Sequence, residues 1–417
     1  MSRLIINGLK RLNGSAKVQG SKNSSLPILS AAVLCRGESI IHNCPDLSDV
    51  RASINILRFI GCKVSFSGGT LVCDSSSIRS CYIPDLLMRE MRSSILFLGA
   101  LLGRLGKAEM CLPGGCEIGT RPIDLHLKAL EELGVEIRDD HGVFHCTAPN
   151  GLCGGKIALS FPSVGATENA MICACLAEGT TVISNAAREP EIVDLADFLN
   201  SCGANVYGAG DDTIMIDGVS RLHGAVHTII PDRIAAATWM SCAAVTSGRV
   251  ILCDVIPAHL AAVTALFENC GCTVTSSGNT MSVNCPYRLA APGVVRTMPY
   301  PGFPTDAQAP IMSMAAVSKG TSLFIENIFE NRYHHVNGLL RMGANIKVEG
   351  RAAVIQGVPL LHGAQVSAHD LRGAAALITA GLAAEGVTAI SGLQYLDRGY
   401  EDPEEVLSEL GADVKRV

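Results

Sequence analysis

A chain of 417 residues, 48% hydrophobic and 17% charged, exceeds one ordinary core and implies two domains of about 200 residues each. A net charge of −6 argues against a general polyanion binder, and aromatics at 4% with one tryptophan, Trp239, leave no stacking platform for single-stranded nucleic acid. Seventeen cysteines fall without a CxxC or Cys/His zinc spacing, so most read as reduced thiols packed as small hydrophobes in a cytoplasmic protein.

The N-terminus has no long apolar stretch of the signal-peptide type. The longest apolar runs, Ile95–Gly103 and Gly373–Ala384, fall short of the ~20 residues that span a bilayer, which predicts no membrane insertion.

A helix ending in Leu-x-x-x-Gly, with Leu266-Phe267-x-x-x-Gly as the fourth case, and followed by a strand recurs six times, at Gly61, Gly134, Gly203, Gly271, Gly343 and Gly411. The intervals of 68 to 73 residues are too regular for chance helix ends. A second helix–glycine–strand junction recurs out of phase at Gly37, Gly106, Gly179, Gly248, Gly320 and Gly386. Each unit therefore holds two helices and several strands, an α/β repeat built six times. The last unit stops at Val417 without its closing strand and loop. Ile6-Asn7-Gly8 with Leu12 and Gly14 supplies that piece at the spacing of Ile355-Gln356-Gly357 with Leu361 and Gly363. The expected domains are residues 1–20 with 231–417, and residues 21–230, with two crossings that imply a hinged cleft.

In chain order, Gly20-Ser21-Lys22-Asn23 stands at the first crossing, before an apolar helix expected to begin near Leu26-Pro27. A lysine and an asparagine at a helix N-terminus suit an anion or a solvated cap. Met91-Arg92-Ser93-Ser94 opens an apolar helix, where an arginine in the first turn opposes the dipole and so reads as a ligand contact. Leu112-Pro113-Gly114-Gly115-Cys116 continues to Arg121-Pro122-Ile123-Asp124-Leu125 and reads as a surface loop carrying one thiol beside one cation, a candidate lid. Ser163-Val164-Gly165-Ala166-Thr167-Glu168-Asn169 is a small-residue helix entry suited to backbone contact with a polar ligand.

In the second half, Thr305-Asp306 opens an apolar helix, and the aspartate reads locally as an N-cap or as a ligand group. Ile328 with Phe329-Glu330-Asn331-Arg332 ends a strand and starts a helix. Asp370-Leu371-Arg372 does the same, and Asp397-Arg398-Gly399-Tyr400-Glu401 is a charged turn. Arg332, Arg372 and Arg398 occupy corresponding turns of successive units, so stacked repeats would bring them together to hold phosphate and carboxylate. No Walker A sequence, no GxGxxG and no metal-ligand cluster is present, so neither nucleotide hydrolysis, a redox cofactor nor a metal is expected.

These motifs, in register over the whole length, resemble the UDP-N-acetylglucosamine 1-carboxyvinyltransferase family of the EPSP synthase superfamily. The resemblance implies two domains of three βαβαββ repeats, an inside-out α/β barrel fold. It also implies transfer of the enolpyruvyl group of phosphoenolpyruvate to the 3-hydroxyl of UDP-N-acetylglucosamine, in the first committed step of peptidoglycan synthesis. By the same resemblance Asp306 accepts the hydroxyl proton and Cys116 protonates C3. Lys22, Asn23, Arg121, Arg332, Arg372 and Arg398 bind phosphoenolpyruvate. Arg92, Arg121, Pro122, Ile123, Asp124, Leu125, Ser163, Val164, Gly165, Asp306 and Ile328 line the UDP-sugar site. A covalent phosphoenolpyruvate adduct on Cys116 and its alkylation by fosfomycin belong to the same implication. Two departures stand out: Ser24-Ser25 where alanine-like residues are common, and Phe161-Pro162 where some members carry a lysine. The alternatives are the sibling enzyme acting on shikimate 3-phosphate and a non-enzymatic repeat scaffold; the cysteine loop and the single cations in an acidic chain weigh against them.

Overall fold

The glycine of each Leu-x-x-x-Gly segment ends its helix by taking a positive φ, between 84° and 109° across the six. The residue after each glycine then donates its N–H to the carbonyl five positions back: Leu57, Leu130, Leu199, Phe267, Leu339 and Leu407, at 2.9–3.2 Å. This is the Schellman closure, which needs a left-handed residue and an apolar residue in the last turn. The Leu-x-x-x-Gly pattern is therefore a helix stop written in sequence. At the second set of junctions Gly37, Gly106, Gly179, Gly320 and Gly386 also have positive φ, whereas near Gly248 it is Ser247 that takes it.

The computed structural model describes residues 2–114 and 123–417. These divide into two compact units, residues 2–19 with 231–417, and residues 20–114 with 123–230. Each unit holds three four-stranded sheets of one pattern: a parallel edge strand followed by three antiparallel strands. In the second unit, for example, Lys156–Ala158 runs parallel to Thr180–Ser184, which pairs antiparallel with Thr213–Asp217, and that with Asn205–Tyr207. The strands alternate buried and exposed residues, so each sheet covers the core with one face and meets solvent with the other.

Behind the sheets of each unit three helices pack on one another. They are Lys22–Ala31, Leu96–Leu105 and Val164–Ala174 in one, and Arg233–Val245, Thr305–Val317 and Leu371–Ala383 in the other. These helices are buried almost all round and rich in alanine, glycine and serine, which lets their backbones approach closely. The outer helices, such as Ser48–Ile60, are amphipathic instead. The result is an inside-out α/β arrangement, helices within and sheets without.

One sheet is assembled from both ends of the chain. Leu4–Asn7 lies between Val387–Ser391 and Asp413–Arg416, antiparallel to both, with Leu4 opposite Ile390 and Arg416. No helix among the described residues is long and apolar enough to cross a membrane.

Several boundaries differ from the sequence expectation. The first inner helix begins at Lys22 and carries Pro27 inside it, because Ser21 accepts from the Ser24 N–H and caps it earlier. Arg92 sits in a one-turn 3-10 segment, Arg92–Ile95, ahead of the helix proper. Phe329 to Arg332 lies in a loop, since the next helix starts only at Val336.

Candidate active site

In the unit containing Asp306, three charged candidates meet at one helix start. Pro304 stands at the N-cap of Thr305–Val317 with no side-chain cap bond, so Asp306 occupies the first turn and is not the cap. Its carboxylate is engaged by two guanidiniums instead. Arg332 donates to Oδ1 at 2.6 Å and Arg372 to Oδ2 at 3.0 Å. Both arginine side chains are 3% exposed, against 26% for Asp306, so the carboxylate is the reachable end of a buried cationic pair. Charge-assisted bonds of this kind are short and directional.

Each arginine is fixed from behind. The Arg332 guanidinium lies 5.4 Å from the Phe329 ring centroid, and that of Arg372 lies 5.6 Å from the Tyr400 centroid. Arg372 also donates to the Tyr400 hydroxyl at 3.3 Å. Tyr400 and Thr238 share a bond of 2.8 Å, and Thr238 donates to the carbonyl of Ile234. The donors then run consistently from Arg372 through Tyr400 and Thr238 to a backbone acceptor. Burial opposes the charge on Arg372, but Asp306 and then Tyr400 outweigh it and hold the guanidinium above its ordinary value. Burial raises the Tyr400 hydroxyl against the lowering effect of Arg372, which keeps it a neutral donor.

Glu326, 1% exposed, organises the loop that carries Ile328. Its Oε1 accepts from the N–H groups of Ile328 and Phe329 at 2.7 and 3.0 Å and from Thr297, while Oε2 accepts from the Thr305 hydroxyl. One buried carboxylate thus ties the Ile328 turn to the helix start that bears Asp306. The third turn is held by Gln19, whose side-chain amide donates to the Gly399 carbonyl at 3.1 Å and accepts from the Glu401 N–H at 2.8 Å. Half-buried Arg398 lies on that clamped turn.

In the other unit, Lys22 sits at the positive end of its helix, where the dipole disfavours it. The Asp49 carboxylate offsets this at 2.7 Å, with side chains only 11% and 4% exposed. Asn23, on the same first turn, is half-buried. In this unit, some of the UDP-sugar candidates lie on elements that meet at His126. A Cβ added to Gly165 would lie 3.0 Å from the His126 ring, so the start of Val164–Ala174, capped by Ser163, abuts the helix Asp124–Glu131. The helix that begins at Asp124 thereby packs against the helix that begins at Val164.

Asn169 locks this junction. Its amide donates to the Ile95 carbonyl and meets His126 Nδ1, both at 3.1 Å, and accepts from the Gly99 N–H at 2.8 Å. Burial first, and Arg92 second, lower the His126 pKa to about 4, so the ring is neutral at physiological pH. Burial also lowers Arg92, whose guanidinium donates to the Pro113 carbonyl. A half-buried cation beside a neutral ring suits an anionic ligand group.

Cys116, Arg121 and Pro122 lie outside the described residues. Among the described residues no cluster of three or more His, Cys, Asp or Glu has metal-binding geometry. Sequence reasoning missed Asp49, Glu326, Gln19 and Thr238, which hold candidate residues of their own unit from elsewhere in the chain with no local pattern to mark them. Asn169 and Tyr400 stood inside quoted motifs, and only the geometry gives them work.

An α/β fold of paired three-repeat units with arginine-held carboxylate chemistry matches one known class of enzyme. The profile of the EPSP synthase (3-phosphoshikimate 1-carboxyvinyltransferase) family matches residues 6–407, and the chain belongs to this family of carboxyvinyltransferases. Within it, the chain is 51% identical to UDP-N-acetylglucosamine 1-carboxyvinyltransferase 2 of Caldanaerobacter subterraneus, over 100% of both chains. It is likewise 51% identical to UDP-N-acetylglucosamine 1-carboxyvinyltransferase 1 of Symbiobacterium thermophilum, over 100% of this chain and 95% of that one. Among solved structures, the enolpyruvyl transferase NikO from Streptomyces tendae superposes with a TM-score of 0.89 at 25% identity, covering 100% and 99% of the two chains. EPSP synthase from Acinetobacter baumannii gives 0.75 at 18% identity over 100% and 99%, a likeness of fold.

Proposed function

We propose that this enzyme transfers the enolpyruvyl group of phosphoenolpyruvate to the 3-hydroxyl of UDP-N-acetylglucosamine and releases phosphate, a cytoplasmic step of peptidoglycan synthesis. The observation that carries this reading is the Asp306 carboxylate, presented to solvent by two buried arginines. It offers a proton acceptor beside cations suited to an anionic substrate.

In the proposed sequence Asp306 takes the proton of the sugar 3-hydroxyl as its oxygen attacks C2 of phosphoenolpyruvate. Cys116 delivers a proton to C3, giving a tetrahedral ketal that retains the phosphate. Loss of phosphate and of a C3 proton gives the enol ether. A free thiol is mostly protonated at neutral pH, which suits a donor. Lys22, Asn23, Arg121 and Arg398 hold the phosphate, and Arg332 and Arg372 the carboxylate side, where fixed cations stabilise the departing charge. Arg92, Pro122 to Leu125, Ser163 to Gly165, Asp306 and Ile328 receive the UDP-sugar. The exchange of one C–O bond for another involves no net oxidation, so the reading requires no cofactor. It also makes Cys116 the thiol that forms a phosphoenolpyruvate adduct and reacts with fosfomycin.

The test is phosphate release from phosphoenolpyruvate with UDP-N-acetylglucosamine or shikimate 3-phosphate as acceptor. Release with the UDP-sugar alone is the expected result. Release only with shikimate 3-phosphate would assign the chain to the sibling reaction.

A further inference from the structure

Two thiols that the proposed reaction does not use face each other across a hairpin. Strands Thr273–Ser277 and Thr280–Asn284 pair antiparallel with Thr273 opposite Asn284, so one more residue along the register sets Cys272 against Cys285. The Cys272 N–H donates to the Phe267 carbonyl and the Cys285 N–H to the Gly248 carbonyl, so the two residues exchange no ladder bonds. Such narrow pairs hold their Cα atoms about 4.5 Å apart, inside the span of about 4.4–6.8 Å that a disulfide bridges. The two sulfurs stand 2.7 Å apart and both residues are buried, Cys272 at 6% and Cys285 at 0% exposure.

The fold itself does not ask for thiols here. The same register position in the other five repeats holds Cys62 with Ser75, Val135 with Ala148, Ala204 with Gly218, Ala344 with Gly357, and Ala412 with Gly8. Small or apolar pairs suffice. We propose that Cys272 and Cys285 are a redox modification site, closing to an intramolecular disulfide when a small-molecule disulfide such as oxidised glutathione is the electron acceptor.

The step balances by two exchanges. The Cys272 thiolate, the more exposed of the two, attacks one sulfur of the acceptor, whose S–S bond breaks and expels a thiolate. The Cys285 thiolate then attacks the Cys272 sulfur of the mixed disulfide and expels the second thiolate. Two protein thiols are oxidised, one acceptor disulfide is reduced, and the two protons pass to the leaving thiolates. The bond to Cys285 and burial raise the Cys272 pKa, so the reaction quickens as pH rises. Once formed, the bridge staples a hairpin whose strands are otherwise joined only by the ladder and the turn.

Cyanogen bromide cleavage after Met281 places the two cysteines on separate fragments. After incubation of the full-length protein with oxidised glutathione, the fragment bearing Cys285 should remain joined to the fragment bearing Cys272 until reductant is added. Cys272→Ala and Cys285→Ser should each abolish the joining, and Cys270→Ala should leave it intact. Oxidation should also raise the Tm of the parent and leave that of Cys272→Ala unchanged. Alanine already fills the position equivalent to Cys272 in three other repeats, and Cys285→Ser follows the Cys62–Ser75 pair, so both variants suit the fold. Fragments that separate without reductant, or joining lost in Cys270→Ala but kept in Cys272→Ala, would overturn the assignment.

Discussion

Asp306 combines two demands at the level of a single side chain. A proton acceptor must be reachable, and a carboxylate with both oxygens bonded to guanidiniums must be held still. The 26% exposure of Asp306 against 3% for each arginine satisfies both. Asp306→Asn preserves the shape and one acceptor oxygen but removes the charge and the basic group. The expected result is a fall in kcat of about 10²–10⁴-fold, the usual share of a positioned acid or base. Because Asp306 is also the counter-charge of two arginines whose side chains are only 3% exposed, the loss should cost about 3–5 kcal/mol of fold stability as well. Steady-state kinetics beside thermal unfolding separates the two effects, and a variant within a few-fold of the parent would remove Asp306 from the chemistry. Local sequence leaves this residue as either a helix cap or a ligand group. The competing partners come from 26 and 66 residues further along, at Arg332 and Arg372, and no local pattern encodes such a pairing.

Among the elements, helix Val164–Ala174 shows how a packed inner helix carries polar cargo. Asn169 is fully satisfied by three elements, whereas Glu168, 5% exposed, is a carboxyl among carboxyls. Burial raises its pKa well above the ordinary value, and Glu191 and Glu189 raise it further. Its contribution to stability is therefore fully present below the unfolded carboxylate pKa of about 4.3, and is lost as pH rises through the folded value. Glu168→Gln keeps the neutral, hydrogen-bonding form at every pH. Thermal melts across a pH series should show the variant gaining on the parent as pH increases, by a few degrees at the alkaline end. A gap that stays constant or shrinks with pH would show that Glu168 is not held protonated. The helix itself was legible as a small-residue entry because Ser163 caps it by a local rule. Its burial on all sides was not, since the packing of Leu96–Leu105, Asp124–Glu131, Pro190–Ser201 and Lys22–Ala31 against it decides which faces see water. The six Schellman stops were legible for the opposite reason: every bond in them spans five residues or fewer.

For the molecule as a whole, the two chain ends are held side by side. Arg3 and Val417 exchange backbone bonds of 2.7 and 2.9 Å, and Leu4 and Ile6 are wholly buried between the last two strands of the chain. This strand was readable because Ile6-Asn7-Gly8 repeats the spacing of an internal unit, a case where a long-range pairing leaves a local trace. Removing residues 2–8 takes away two core side chains worth about 1.5–3 kcal/mol each and leaves two strands with open edges. Losses of that size approach the whole stability of a typical domain. The deletion should give insoluble protein or a non-cooperative melt. A circular permutant separates the strand's presence from its position at the start of the chain. Joining Val417 to Arg3 through a short Asn-Gly turn suits the antiparallel geometry, and opening the chain between His141 and Gly142 falls in an exposed hairpin turn. That permutant keeps every strand of the sheet Gln365–Ser367, Val387–Ser391, Leu4–Asn7 and Asp413–Arg416. It should fold with a Tm within a few degrees of the parent and retain phosphate release. A soluble, cooperatively melting deletion variant would mean that the sheet stands without its central strand, and the closing role of Leu4–Asn7 would have to be given up.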